Sequence, residues 1–306
     1  MDSPKIIFIV GPTGVGKSDA GFLLAKQVGG EIVSCDALQV YTEVNIACDK
    51  PPADVRSQIP HHLIDVVSVT ANFDVARYKA LATAAIEDII KRGKTPVVVG
   101  GSGMYMTVLL DGIFESGAKD EDLRTQLQER LKTEGSVLLH GQLMRLDPKA
   151  AAKIHPNDPQ RILRALEVVM VTGQPISELQ PKRDGLWGKY AIEIYGLNRD
   201  REELYRRAEG RIDRMFEQGL LDEVRSLSSM TLSRTAAVII GVPEVKGFLN
   251  GEYDLDRAKY LMKLNTRHYV KRQLTWFRRD ERVKWIQLAE GQDAYDHLCQ
   301  RIKRLQ

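Results

Sequence analysis

Apolar runs of five or six residues recur along the first hundred positions, at 5–10 (KIIFIV), 31–35 (EIVSC), 62–66 (HLIDV) and 95–100 (TPVVVG). The strongest are hydrophobic almost without interruption, the signature of strands covered on both faces. Between and after the runs, apolar positions recur at helical spacing, over 17–28, 75–92 and 103–110. This alternation predicts a parallel sheet flanked by helices, with ligands at the carboxyl ends of the strands. Residues 115–189 break the pattern. They hold helix-like stretches at 120–134, 136–147 and 158–171, punctuated by HPNDP (155–159) and GQP (173–175). They are expected to form a helical insertion between two parts of an α/β core, 1–114 and 190–306. A fifth strand at 190–197 leads into helical patterns at 201–227, 235–249 and 254–279. A short strand at 283–288 and a closing helix follow.

The first strand runs directly into GPTGVGKS, which is Gly11, Pro12, Thr13, Gly14, Val15, Gly16, Lys17 and Ser18. Its G-x-x-x-x-G-K-S spacing has a physical cause. The glycines let the loop bend so that successive backbone N–H groups point inward at phosphate oxygens. Lys17 reaches the outer phosphates, Ser18 is placed to hold Mg²⁺, and the next helix aims its positive N-terminus at the same anion. The expected fold is therefore α/β, a P-loop NTPase-like parallel sheet with an all-helical insertion domain. The motif binds a diphosphate or triphosphate but does not say what happens to it.

Other candidates follow the strand ends. Asp36, just past the second run, can ligate a metal, accept a proton from a nucleophile, or cap a helix. Gln39 offers both donor and acceptor, suited to a base edge or to a plain turn. Asp65 is a candidate outer ligand to Mg²⁺. Arg207, Arg211 and Arg214 share one helix face, and three like charges there call for an anion or a solvated surface. His61-His62 lacks a third ligand at metal-site spacing and is expected in a loop, and Met104, Met106 and Met170 are expected in the core.

Composition narrows the class. At 43% hydrophobic and 28% charged residues, the chain is neither disordered nor membrane-spanning. MDSPK enters the first strand without a leader-like segment, and the three cysteines lack a C-x-x-C pair, so a reducing, cytoplasmic setting is expected. Net charge is only +3, but residues 257–282 carry nine Lys/Arg against two acids, interleaved with Tyr260, Tyr269, Trp276 and Phe277. Such a stripe suits nucleic acid, and equally a solvated helix whose long side chains cover apolar surface.

Taken in order, GPTGVGKS (11–18), SCDALQVY (34–41), VVVGGSGMY (97–105), HPNDPQRILRALEV (155–168), RIDRMFEQGLLDEV (211–224) and KRQLTWFR (271–278) resemble the bacterial tRNA dimethylallyltransferase family over nearly the whole chain. The resemblance implies that the phosphate loop holds dimethylallyl diphosphate as a leaving group, with Mg²⁺ on Ser18. It implies transfer of the dimethylallyl group to N6 of the adenine 3′ of the anticodon. It carries the base onto Asp36, an assisting arginine onto Arg211, a supporting hydroxyl onto Thr13 and charge stabilisation onto Lys17. It implies a target base flipped out of the anticodon stem-loop into a channel. Contacts to tRNA are implied at Asp36, Ala37, Leu38 and Gln39, at Ser102 and Arg124, at Gln160, Arg161, Ile162, Leu163 and Arg164, and at Lys271, Arg272, Gln273, Trp276 and Arg278. A monomer that binds no membrane is the default expectation. Two departures stand out: Val242-Pro243 replaces a Tyr-Lys pair common in relatives, and Ala37 replaces a serine.

Three rival activities remain open. An adenylate isopentenyltransferase acting on free AMP, ADP or ATP shares the loop and the aspartate but has little use for 155–161 or 271–278. A small-molecule kinase would carry an Arg-rich lid, and no clear one is present. A nucleotide-gated RNA-binding switch of the GTPase kind would carry N-K-x-D, which is absent.

Overall fold

The computed structural model describes residues 4–113, 120–179 and 184–303. The boundary expected at 114/115 lies outside them. In chain order the elements are β1 (Lys5–Val10), α1 (Lys17–Gln27), β2 (Glu31–Ser34), α2 (Ala53–Gln58), β3 (His61–His62), α3 (Val75–Lys91), β4 (Pro96–Gly100) and α4 (Gly103–Asp111). Then come α5 (Glu121–Leu146), α6 (Pro148–Ala151), α7 (Pro159–Thr172) and α8 (Ile176–Leu179). The chain continues through β5 (Ala191–Arg199), α9 (Arg201–Glu217), α10 (Leu220–Ser226), α11 (Val242–Leu249), α12 (Leu255–Phe277), β6 (Val283–Leu288) and α13 (Ala294–Lys303).

All six strands are parallel, in the order β3-β2-β4-β1-β5-β6. β1 is central, with Phe8 level with Val98 on one side and Ile194 on the other. β4 is buried at every position and β1 at all but its first, because helices cover both faces. The chain forms two compact units. Residues 1–109 and 187–306 make the α/β unit, while 110–186 make a helical unit with its own core around Leu139, Leu143, Ile162, Ala165 and Leu166.

Several expected elements come out differently. The run at 62–66 does not continue as a strand. Leu63 and Asp65 take left-handed backbone (φ 64° and 57°), so β3 ends at His62. His61 and His62 therefore lie on a short strand beside β2, not in a loop. The pattern at 201–227 divides at Gly219 (φ 99°) into α9 and α10. That at 235–249 starts late: Glu244 caps the backbone N–H of Gly241 at 2.7 Å, and Pro243 occupies the first turn of α11. Met106 is fully buried, whereas Met104 and Met170 are each 46% exposed.

Candidate active site

Where β1 ends, the chain must leave the sheet against β5. A Cβ at Gly11 (φ 145°) would lie 2.4 Å from the Leu197 carbonyl oxygen, so only glycine fits this exit. The loop that follows is held from several sides. The Lys17 ammonium donates to the Pro12 carbonyl at 2.8 Å. The Thr13 N–H donates to Gln273 Oε1 at 2.9 Å. Arg207 donates to the Gly14 carbonyl at 2.6 Å and Arg199 to the Val15 carbonyl at 3.2 Å. Arg199 is itself buried and also holds Glu203 at 2.8 Å and the Gln292 carbonyl at 2.7 Å. Val15 packs its side chain into the core, so the sequence signal at this position is a backbone one.

Above the loop opens a cavity of about 540 Å³. Thr13, Gly14, Gly16, Lys17 and Ser18 line it from the loop, with Asp36, Leu38 and Gln39 from the segment after β2. α9 contributes Arg206, Arg207, Arg211 and Arg214. The arginine face thus borders the cavity, with Arg211 half-buried and Arg206, Arg207 and Arg214 exposed at its mouth. With Lys17 it sets five cationic side chains against the carboxylates of Asp19, Asp36 and Asp49, a balance that favours an anionic ligand. The same cavity has an apolar wall of Met215, Ile240 and Met262. An anion carrying a short apolar group matches both linings.

Asp36 is not a helix cap. Its Oδ1 accepts the Leu38 N–H at 2.9 Å, a local turn that fixes one carboxylate oxygen. Burial pushes its carboxyl above the ordinary range, and the Leu38 N–H, Lys17 and Arg211 pull it partly back. Burial also brings the Lys17 ammonium down to about 8, with Asp36 opposing and Arg211 adding to the shift. Arg211 donates to Asp49 at 3.1 Å. Gln39 uses its amide within the chain, accepting from Ser34 at 3.0 Å and donating to the Asp49 carbonyl at 3.3 Å.

Other candidates land elsewhere. Asp65 holds Lys50 and Arg56, each at 2.6 Å, so both its oxygens serve the fold and not a metal. His62 is paired with buried Glu31 at 2.8 Å. Gln273 is 5% exposed and faces inward, lining the cavity instead of the outer surface of α12. Ile162 is lost to an RNA surface, because its side chain is fully buried in the helical core. Four neighbours remain together: Arg124, Gln160, Leu163 and Arg164 line one groove of about 210 Å³ on the helical unit. Arg161 stays exposed beside Asp158 at 3.3 Å. Ala37 and Ser102 are half-buried, and the Ser102 N–H donates to the Cys35 carbonyl at 3.1 Å. Lys271 and Arg272 project from α12 and Arg278 from its C-terminal cap, and half-buried Trp276 donates its indole N–H to Thr107 at 3.3 Å.

Sequence reasoning missed Asp49, Tyr269 and the apolar wall. Tyr269 belongs to the basic, aromatic stretch already noted. Met215 lies four residues after Arg211, one turn along the same face. Asp49 sits in no motif, and its left-handed backbone (φ 50°) is visible only in three dimensions.

A glycine-turned loop at the end of a central parallel strand, opening on a cationic cavity, defines the class: a P-loop NTPase-like α/β enzyme. The sequence pattern of the IPP transferase family matches residues 39–280, and the chain belongs to that family. It is 40% identical to a tRNA dimethylallyltransferase of Geobacter sulfurreducens over 97% of this chain and 96% of that one. The crystal structure of the full-length tRNA isopentenylpyrophosphate transferase from Bacillus halodurans superposes with a TM-score of 0.72 at 36% identity, covering 98% and 95% of the two chains. A eukaryotic dimethylallyltransferase acting on tRNA gives a TM-score of 0.84 at 29% identity, covering 98% of this chain and 78% of that one.

Proposed function

We propose that the protein transfers the dimethylallyl group of dimethylallyl diphosphate to N6 of the adenine 3′ of the anticodon in tRNA, releasing diphosphate. The observation that carries this reading is the meeting of Asp36, Arg211 and the phosphate loop in one cavity that also has an apolar wall. The names borne by the relatives supply the RNA substrate.

In this mechanism the adenine N6 forms a bond to the allylic carbon as that carbon's bond to the diphosphate oxygen breaks. Asp36 accepts the amine proton. A carboxyl held above its ordinary range is a stronger base, and the Leu38 N–H keeps one oxygen in place. Lys17, Arg211 and the loop amides stabilise the charge that grows on the departing diphosphate. The Met215, Ile240 and Met262 wall takes the dimethylallyl group. Flipping the base costs a few kcal/mol of unstacking, offset by contacts of cationic side chains with the anticodon stem-loop. Arg124 and Arg164 serve this on the helical unit, Lys271 and Arg272 on α12, and Arg278 at its C-terminal cap.

Mg²⁺ suits the donor set. Among the described residues no three His, Cys, Asp or Glu side chains gather as a metal shell, whereas Ser18 offers a hydroxyl beside the phosphate loop. Magnesium commonly takes few protein ligands and completes its shell with water and phosphate oxygens. Ser18 would hold the ion, which when bound neutralises charge on the diphosphate.

The test is mass spectrometry of tRNA nucleosides after incubation with dimethylallyl diphosphate and Mg²⁺. N6-dimethylallyladenosine beside the anticodon is expected. Label appearing in AMP and not in tRNA would replace this reading with the adenylate one.

A further inference from the structure

Three segments of the α/β unit converge on one buried amide. Gln273 lies on the inner face of α12 at 5% exposure. Its Oε1 accepts the Thr13 N–H at 2.9 Å, and its Nε2 donates to the Gly101 carbonyl at 3.0 Å. The space is filled: a Cβ at Gly101 would stand 2.3 Å from Nε2. One side chain therefore ties the loop after β1 and the loop after β4 to α12. The amide offers acceptor and donor together; a carboxylate lacks the donor and an ammonium the acceptor.

We propose that Gln273 is a positioning residue for prenyl transfer, fixing Thr13 and so the shape of the phosphate cradle, and that it is not a contact of the outer RNA-facing surface of α12. The inference rests on the function proposed above. A cradle stabilises a leaving group only if its donors are already oriented when charge develops. Arg207 and Arg199 hold the carbonyls of Gly14 and Val15 from α9 and the end of β5. Gln273 adds the hold on Thr13, the first cavity-lining residue of the loop. Without it the peptide between Pro12 and Thr13 is held only through the Pro12 carbonyl, by Lys17 and the Val15 N–H, and its Thr13 end, hydroxyl included, is released. The neighbours Lys271 and Arg272 are exposed on the same helix, so the outward face of α12 can meet RNA while its inward face braces the loop.

The experiment compares Q273M, which keeps side-chain length without either hydrogen bond, with wild-type protein. Q273E, which keeps the acceptor but turns the donor into a repulsion, is the second arm if Q273M does not fold. We expect kcat for prenyl transfer to fall on the order of tenfold to a hundredfold, counted per tRNA-binding site, with tRNA Kd within about twofold. We expect inorganic pyrophosphate to bind about tenfold more weakly by calorimetry. A folded variant with wild-type kcat and pyrophosphate affinity overturns the proposal. So does a variant that loses tRNA affinity while turning over normally once bound, which would make Gln273 an RNA contact. Should wild-type protein transfer nothing to tRNA, the proposed function fails, and the pyrophosphate comparison still judges Gln273.

Discussion

The cavity of the α/β unit and the groove of the helical unit are both lined with cations, but they are built in opposite ways. In the cavity, charges brace loops and backbone. Lys17 leans on its own loop, Arg207 reaches Gly14, Arg211 reaches Asp49, and Arg199 beneath the loop is 4% exposed. In the groove, charges sit on helix surfaces with partners one turn away, as Lys132 with Glu129 at 2.7 Å and Arg164 with Glu167 at 2.9 Å. The exposed Lys132–Glu129 pair contributes little to stability, whereas Glu167 is buried beneath Arg164. The difference matches the two tasks proposed for them. Bond exchange at an allylic carbon depends on position to a fraction of an ångström. A nucleic-acid backbone is attracted by charge and tolerates looser placement.

The comparison can be broken from the core side first. Arg199→Met removes the cation from a buried pair and leaves Glu203, 6% exposed, without its counter-charge. A loss of about 3–5 kcal/mol is expected by urea denaturation; an unchanged midpoint would mean the loop is not braced there. Asp36→Ala should lower kcat on the order of a hundredfold or more while tRNA affinity stays within a few-fold. Near-normal turnover would take the proton-accepting role from Asp36.

A pH profile sharpens the same point. Burial raises the Asp36 carboxyl, so the base is charged only above that raised value and is lost as pH falls through it. kcat/KM should drop with an acid limb lying above the ordinary carboxylate range, and the residual activity of Asp36→Ala should lack that limb. A limb surviving in the variant assigns it to another group. The smallest effects belong to the groove. Arg124→Ala should weaken tRNA binding a few-fold and reduce the slope of log K against log salt by roughly 1, with kcat untouched. An unchanged slope would mean that Arg124 meets no phosphate.

What could be read from the sequence divides along the same line. The parallel sheet was legible because β1 and β4 are unbroken apolar runs. The phosphate loop was legible because its spacing is itself the geometry. Arg211 could be picked out by its place on a helical face. Gln273 could not be read correctly. A polar residue in a basic, aromatic helix points outward by composition, and only packing shows it turned toward Thr13. Ile162 shows the converse, since the run on α7 expected to contact RNA includes a position whose side chain the helical period buries. The end of β3 was hidden because left-handed backbone at Leu63 and Asp65 leaves no mark on hydropathy. Asp49 required the loop to be folded before it could face Arg211.

The helical unit begins and ends at places that touch. A side chain at Gly185 would strike the Leu110 carbonyl at 2.1 Å, and one at Gly112 would strike the backbone of Asp184 at 2.4 Å. The chain therefore enters and leaves the helical unit at neighbouring points. A module with such neighbouring ends can be excised, shortened or exchanged at little topological cost. Every residue that lines the reaction cavity belongs to the other unit, so such an exchange would alter none of them.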